Sequence, residues 1–246
     1  MKISVAIITR DAAADLDRCL ASLGFADEVV VLDQGSTDAT AAVCARHGAA
    51  LHQGAWQGFG PTKQAAVDLC RNRWVLSVDS DEEVTPELAA AIGALPEAPA
   101  EAAFAVNRLS RFLGAWIRHC GWHPDHVVRL FDRERAAFNA KPVHEGIETA
   151  GTVGRLPGLL RHYTYETMEQ YVEKLNRYTT LAAAEMHAAG RRTSLVQAVV
   201  RAEATFWRMF VLQGGLLDGW HGAVLCWSSG FYVLAKYVKL WRLGRP

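Results

Sequence analysis

The sequence predicts an α/β fold: a mainly parallel, Rossmann-like sheet wrapped by helices, extended by helices at the C-terminus. Three observations predict it. Short β-branched or apolar runs alternate with helical patterns through the first hundred residues, the spacing of a parallel sheet with crossover helices. Each run empties into a polar loop, and right-handed crossovers bring all such loops to one edge of the sheet. From Glu166 onward only helical periodicity remains.

Ile3–Ile8 is β-branched and too short for a helix, so it reads as the first strand, followed by the loop Thr9–Asp11. Ala12–Leu23 sets Leu16, Leu20 and Leu23 at helical spacing, and Gly24 stops it. Glu28–Leu32 is a second buried strand ending in Asp33–Asp38, where Thr37 or Asp38 caps a helix closed near His47 by Gly48. Ala49–His52 is a third strand candidate. Pro61 suits the start of a helix over Thr62–Arg71. Trp74–Val78 is a core strand, and Pro86–Leu95 a short helix. Past a linker at Pro96–Ala100, strands are expected over Ala103–Asn107, His126–Phe131 and Gly158–Tyr163. Long helices then cover Met168–Ala189, Ser194–Leu212 and Gly222–Leu240. This divides the chain into a domain over 1–165, itself in two halves (1–100 and 101–165), and a helical extension over 166–246.

Composition narrows the function. With 50% hydrophobic and 21% charged residues the chain is globular, and its net charge of +0 gives no reason to expect nucleic acid as a partner. The halves differ: residues 1–100 carry 14 Asp+Glu against 7 Lys+Arg, whereas from Arg191 on there are 8 Lys+Arg and 2 Asp+Glu. Five cysteines without a C-x-x-C pair suit buried thiols of a reducing cytoplasm, and Met1 runs into the first strand without room for a signal peptide. No G-x-G-x-x-G follows the first strand and no P-loop Lys-Ser/Thr follows Gly54, Gly58 and Gly60, which argues against dehydrogenases and P-loop NTPases. The cluster His119–His126 matches no zinc spacing.

The chemistry concentrates in Trp74–Val84 (WVLSVDSDEEV), a buried strand with four acids at its carboxyl end. Ligands bind at that edge of open α/β sheets. Asp79 and Asp81, one residue apart, make a hard-oxygen site for Mg²⁺ or Mn²⁺ and, through it, a phosphate. Glu82 and Glu83 start the next turn or orient the loop.

These motifs carry a resemblance. S-V-A-I-I-T-R, V-V-V-L-D-Q-G-S-T-D-A-T and W-V-L-S-V-D-S-D-E, in that order, resemble the GT-A nucleotide-diphospho-sugar transferase fold of glycosyltransferase family 2. G-F-G-P-T-K-Q-A-A, P-V-H-E-G and the Asp218-Gly219 end resemble its bacterial lipopolysaccharide-core β-1,4-glucosyltransferases. One departure is Asp33-Gln34, where many members have two acids. The resemblance implies that Thr9, Arg10 and Asp11 line a pyrimidine pocket, that Asp33 accepts a hydrogen bond from uracil, and that Lys63 lies near base or diphosphate. It implies Asp79 at ribose and metal, and Asp81 as ligand of the Mg²⁺ or Mn²⁺ on the diphosphate. Inversion needs a base for the acceptor hydroxyl. Glu145 is preferred and Asp125 is the alternative, with Arg129 and His144 expected at an anionic acceptor or the diphosphate. The implied activity is transfer of a hexose, glucose from UDP-glucose, to a glycolipid acceptor, the inner-core heptose of lipopolysaccharide. Rival readings are transfer to a polyprenyl phosphate or a peptide, or an inactive membrane-associated binding module.

The C-terminal helices fall short of the ~20 consecutive apolar residues of a membrane span. Trp207, Trp220, Trp227, Tyr232, Tyr237 and Trp241 instead alternate with Arg201, Arg208, Lys236, Lys239, Arg242 and Arg245. That is the pattern of helices lying at an anionic membrane surface, here the inner face of the cytoplasmic membrane.

Overall fold

The computed structural model describes residues 1–139 and 146–245. Strand–helix alternation holds through the first half: β1 (Ile3–Thr9), α1 (Ala13–Ala21), β2 (Glu28–Asp33), α2 (Thr40–His47), β3 (Ala50–Gln53), α3 (Phe59–Asp68) and β4 (Trp74–Ser77). A short strand β5 (Glu82–Val84) and α4 (Pro86–Gly93) follow, the helix opened by the Thr85 cap and Pro86. The chain then turns to strands: β6 (Ala103–Phe112), β7 (Ala115–Trp116), β8 (Asp125–Asp132), β9 (Ala136–Phe138), β10 (Ile147–Thr149) and β11 (Val153–Tyr165). It ends in α5 (Met168–Ala188), α6 (Leu195–Trp207), a π-helical turn (Arg208–Leu212), a 3-10 turn (Gly215–Asp218) and α7 (Gly219–Leu243). The sequence pattern did not mark β5, β7, β9 or β10. At two or three residues each they are too short to show periodicity.

The main sheet has the order β3-β2-β1-β4-β8-β6-β11-β5, with β7 beside β6. The first four strands are parallel, whereas β8 runs antiparallel to β4 and to β6, and β5 antiparallel to β11. Side chains alternate across the pleat, so β1 sends Val5 and Ile7 to one face and Ala6 to the other. The first face packs Leu16 and Leu20 of α1, Val43 of α2 and Leu88 and Ile92 of α4; the second packs Ala66 and Val67 of α3. Gly158 of β11 has φ +90, and a Cβ there would stand 2.4 Å from the Leu88 backbone nitrogen. We expect Gly158→Ala to cost about 2–4 kcal/mol, from left-handed strain plus overpacking. A urea titration checks it, because an unchanged midpoint would mean that α4 is not held against this strand.

The chain forms two compact units, Met1–Arg108 with Asp125–His162, and Leu109–Pro124 with Tyr163–Pro246. The excursion 109–124, expected with residues 101–165, groups with the C-terminal helices. In the second unit Phe112, Ile117 and Cys120 form one core with Tyr171, Leu175, Met209, Leu225 and Cys226. Asp218 ties the excursion down, its carboxylate accepting from the amides of Arg118 (3.2 Å) and His119 (2.8 Å) and meeting His119 Nδ1 at 2.9 Å. Capping boxes at Thr167 and Ser194 start α5 and α6.

Candidate active site

Three loops meet at the carboxyl edge of the parallel strands. Thr9 pairs with Asp33 and Ala6 with Ser77 in the sheet register, so the loops after β1, β2 and β4 lie side by side. They are also cross-linked. The Gln34 amide donates to Thr9 O (3.0 Å) and the Val78 amide to Ala6 O (3.1 Å). Asp11, at φ 47, donates its amide to Ser36 Oγ (2.8 Å) and accepts from the Thr37 amide (2.7 Å). That bond from Thr37 is the main reason its carboxyl lies below the ordinary value.

Asp33 is 3% exposed; it accepts from Ser36 Oγ (2.5 Å), from the Ser36 amide (3.1 Å) and from Gln53 Nε2 (2.9 Å). It braces its own loop while sitting at the edge. Thr9 is buried, and its Oγ1 has no partner among the described residues. Arg10 projects outward, 3.7 Å from Asp11.

Under the loop after β4 lies a chain of alternating charges. Lys63 of α3 is buried, its Nζ 2.7 Å from Asp79 Oδ1. Arg129 of β8 is also buried and places Nη2 2.7 Å from Asp79 Oδ2 and 2.6 Å from Glu82 Oε1. Glu82 is fully buried, and its Oε2 accepts the Asp79 amide at 2.9 Å. Arg108 of β6 continues the chain, 3.7 Å from Glu82 and 2.8 Å from Asp125 Oδ2.

Two opposing effects act on Asp79. Burial penalises its charge, but Arg129 and Lys63 outweigh that and hold the carboxyl well below the usual range. Burial likewise disfavours the Arg129 cation, whereas Asp79 and Glu82 raise its pKa above the ordinary value. Asp79 is therefore a permanent carboxylate held at both oxygens. Arg129 works beneath the loop, its Nη2 committed to two acids.

Asp81 stands apart from this chain. Its side chain is 27% exposed, and Oδ2 is 3.4 Å from His162 Nε2 on β11. Among the described residues no three His, Cys, Asp or Glu side chains converge as a complete metal cage. A carboxylate and an imidazole at this separation do fit two neighbouring ligands at about 2.1 Å from one small divalent ion. Such ions take one or two protein carboxylates and complete their shell with substrate phosphate and water. The carboxylate suits Mg²⁺ or Mn²⁺, and the imidazole nitrogen favours Mn²⁺ over the oxygen-demanding Mg²⁺.

Asp125, at the start of β8, offers Oδ2 to Arg108. Glu145 and His144 lie outside the described residues. Sequence reading missed Arg108 and His162. Neither sits in a motif, and each reaches the edge only through antiparallel pairing, Arg108 opposite Asp125 and His162 opposite Glu82.

A family model for glycosyl transferase family 2 matches residues 4–163, nearly two thirds of the chain. The chain belongs to glycosyltransferase family 2. Its four parallel strands, followed by antiparallel β8 and β6, form the GT-A sheet of this family. Among similar proteins, the lipopolysaccharide core biosynthesis glycosyltransferase LpsC of Rhizobium meliloti (strain 1021) is 27% identical over 261 residues, covering 98% of this chain and 93% of that protein. An uncharacterised glycosyltransferase of Rickettsia felis is 27% identical over 263 residues, covering 98% and 89%. Among solved structures, glucosyl-3-phosphoglycerate synthase from Mycobacterium tuberculosis, in complex with Mn²⁺, UDP and glucosyl-3-phosphoglycerate, is 24% identical. The match covers 45% of this chain and 44% of that one, at a TM-score of 0.37.

Proposed function

We propose that this family 2 glycosyltransferase is a metal-dependent inverting hexosyltransferase. It moves glucose from UDP-glucose to a glycolipid, the inner-core heptose of lipopolysaccharide, working peripherally at the inner face of the cytoplasmic membrane. One observation carries the donor half. The braced carboxylate Asp79 and the open pair Asp81–His162 share a sheet edge with Thr9, Asp11 and Asp33. The acceptor class is supported by the relative named for lipopolysaccharide core biosynthesis.

In this reading Thr9–Asp11 and Asp33 receive the uracil end of the donor, and Lys63 and Arg129 position Asp79 toward ribose and diphosphate. Asp81 and His162 would hold the divalent ion, which neutralises charge building on the departing diphosphate. The acceptor oxygen forms a bond to the anomeric carbon as the bond to the diphosphate breaks. Its proton passes to a carboxylate on the opposite face, giving inversion. Among the described residues we assign that role to Asp125: Arg108 fixes Oδ2, and the carboxylate remains partly exposed beside the acidic loop. Glu145 is the competing base.

Asp125→Asn should lower kcat about 10²–10⁴-fold, the usual range for a lost base, with UDP affinity unchanged. If Glu145→Gln does this and Asp125→Asn does not, the base is Glu145. The acceptor is tested by offering heptose-containing inner core, polyprenyl phosphate and peptide with UDP-glucose. Transfer confined to either of the last two would overturn the acceptor.

A further inference from the structure

The second unit carries an apolar surface that nothing covers among the described residues. Where α6 turns into α7, Leu212 is 81% exposed, Leu217 72% and Trp220 61%. The surface continues along both helices through Val196 (73%) and Trp227 (64%). The two stretches lie on one side of the helix pair. Thr205 of α6 and Ser229 of α7 line the same small cavity. With 3.6 residues per turn, Val196, Val199, Val200 and Trp207 lie about 120–220° around α6 from Thr205. Trp220, Trp227 and Phe231 lie about 160–200° around α7 from Ser229 by the same count. Thus α6 turns valines and a tryptophan, and α7 two tryptophans and a phenylalanine, away from their shared interior. So large an exposed apolar surface on a folded unit marks an interaction site.

Charge identifies the occupant. Arg208 is exposed at the helix turn, Arg118 is exposed in the excursion that Asp218 ties to that turn, Arg191 and Arg192 are exposed in the loop before α6, and Arg242 is exposed near the end of α7. Past Arg191 only two acids occur: Glu203, and Asp218, which is already bound to His119. At the two ends of the helix pair five exposed arginines outnumber the one exposed acid, Glu203, which shares the apolar side of α6, and that balance repels a second copy of itself but complements a sheet of anionic headgroups. Among the described residues no helix is long and apolar enough to cross a membrane. Such a surface suits the bilayer interface, with tryptophans at headgroup level and aliphatics below.

We propose that the α6–α7 turn, led by Leu212, Leu217 and Trp220, inserts into one leaflet of an anionic lipid bilayer and docks the protein there. This deepens the glycolipid-acceptor reading by assigning the surface that brings the enzyme to its substrate. It is tested without acceptor or donor, so the two stand or fall separately.

The experiment is co-sedimentation of the full chain with vesicles of equimolar phosphatidylglycerol and phosphatidylcholine, or of phosphatidylcholine alone. The wild type should bind the anionic vesicles and shift its tryptophan emission to the blue. L212D/L217D should bind about tenfold less or weaker, with unchanged circular dichroism, since both positions are solvent-facing. R118E/R208E should lose binding to anionic vesicles, and added salt should do the same to the wild type. Wild-type binding that L212D/L217D leaves unchanged would overturn the proposal. So would the absence of vesicle binding together with a concentration-dependent dimer, seen by ultracentrifugation, that L212D/L217D dissociates.

Discussion

Glu82→Ala is expected to destabilise the first unit by about 3 kcal/mol and to abolish detectable donor binding. The side chain is fully buried and does three things: it pairs Arg129, accepts the Asp79 amide and faces Arg108. Removing it strands part of one buried cation, Arg129, and of the partly exposed Arg108, and leaves an amide without an acceptor; breaking a buried pair costs about 3–5 kcal/mol. Asp79 and Asp125 remain to compensate Arg129 and Arg108, hence the lower figure. Glu82→Gln keeps an acceptor for the Asp79 amide and should recover part of the loss. Urea midpoints of the three proteins check this, and equal midpoints would mean that the alternating charges do not support the loop.

The second large effect separates Asp79 from Asp81. Asp79→Asn removes the charge that Lys63 and Arg129 share, so both activity and stability should fall, stability by about 2–3 kcal/mol. Asp81→Asn touches only the long, 3.4 Å contact with His162 in a pair that is partly exposed, so stability should fall by about 1 kcal/mol or less. Its transfer rate should fall by about 10³-fold or more, the scale of a lost charge-stabilising group. His162→Ala should follow Asp81→Asn. Paired kcat and denaturation measurements decide it, because two variants equally unstable and equally inactive would erase the distinction between brace and ligand.

The parallel half of the sheet and its loop edge were legible in the sequence because their signals are local. β1, β2 and β4 are apolar runs with polar ends, and parallel crossovers allow only one arrangement of their loops, so Thr9–Asp11, Asp33 and Asp79–Asp81 could be brought together in advance. What the sequence could not show depends on pairing between distant segments. Glu82 looked like one more acid in a loop, yet β5 pairs with β11, more than seventy residues away, and that pairing buries it. Arg129 read as an anion-binding side chain, and its burial between Asp79 and Glu82 becomes visible only once β8 runs antiparallel to β4. His162 lies in a strand with no motif around it. The C-terminal helices were found by periodicity, but which of their aromatics would be exposed was not. Trp220 and Trp227 face solvent, whereas Tyr171 joins the core.

The central claim is that Asp81, on the loop braced through Asp79, holds a divalent ion and through it the donor diphosphate. Calorimetric titration of UDP-glucose into wild type and Asp81→Ala, with Mn²⁺ and with chelator, tests it most directly. Wild-type binding should require Mn²⁺, and Asp81→Ala should weaken it about 100-fold, near 2.7 kcal/mol. Equal affinity in the two proteins, or wild-type affinity that chelator does not change, would contradict it.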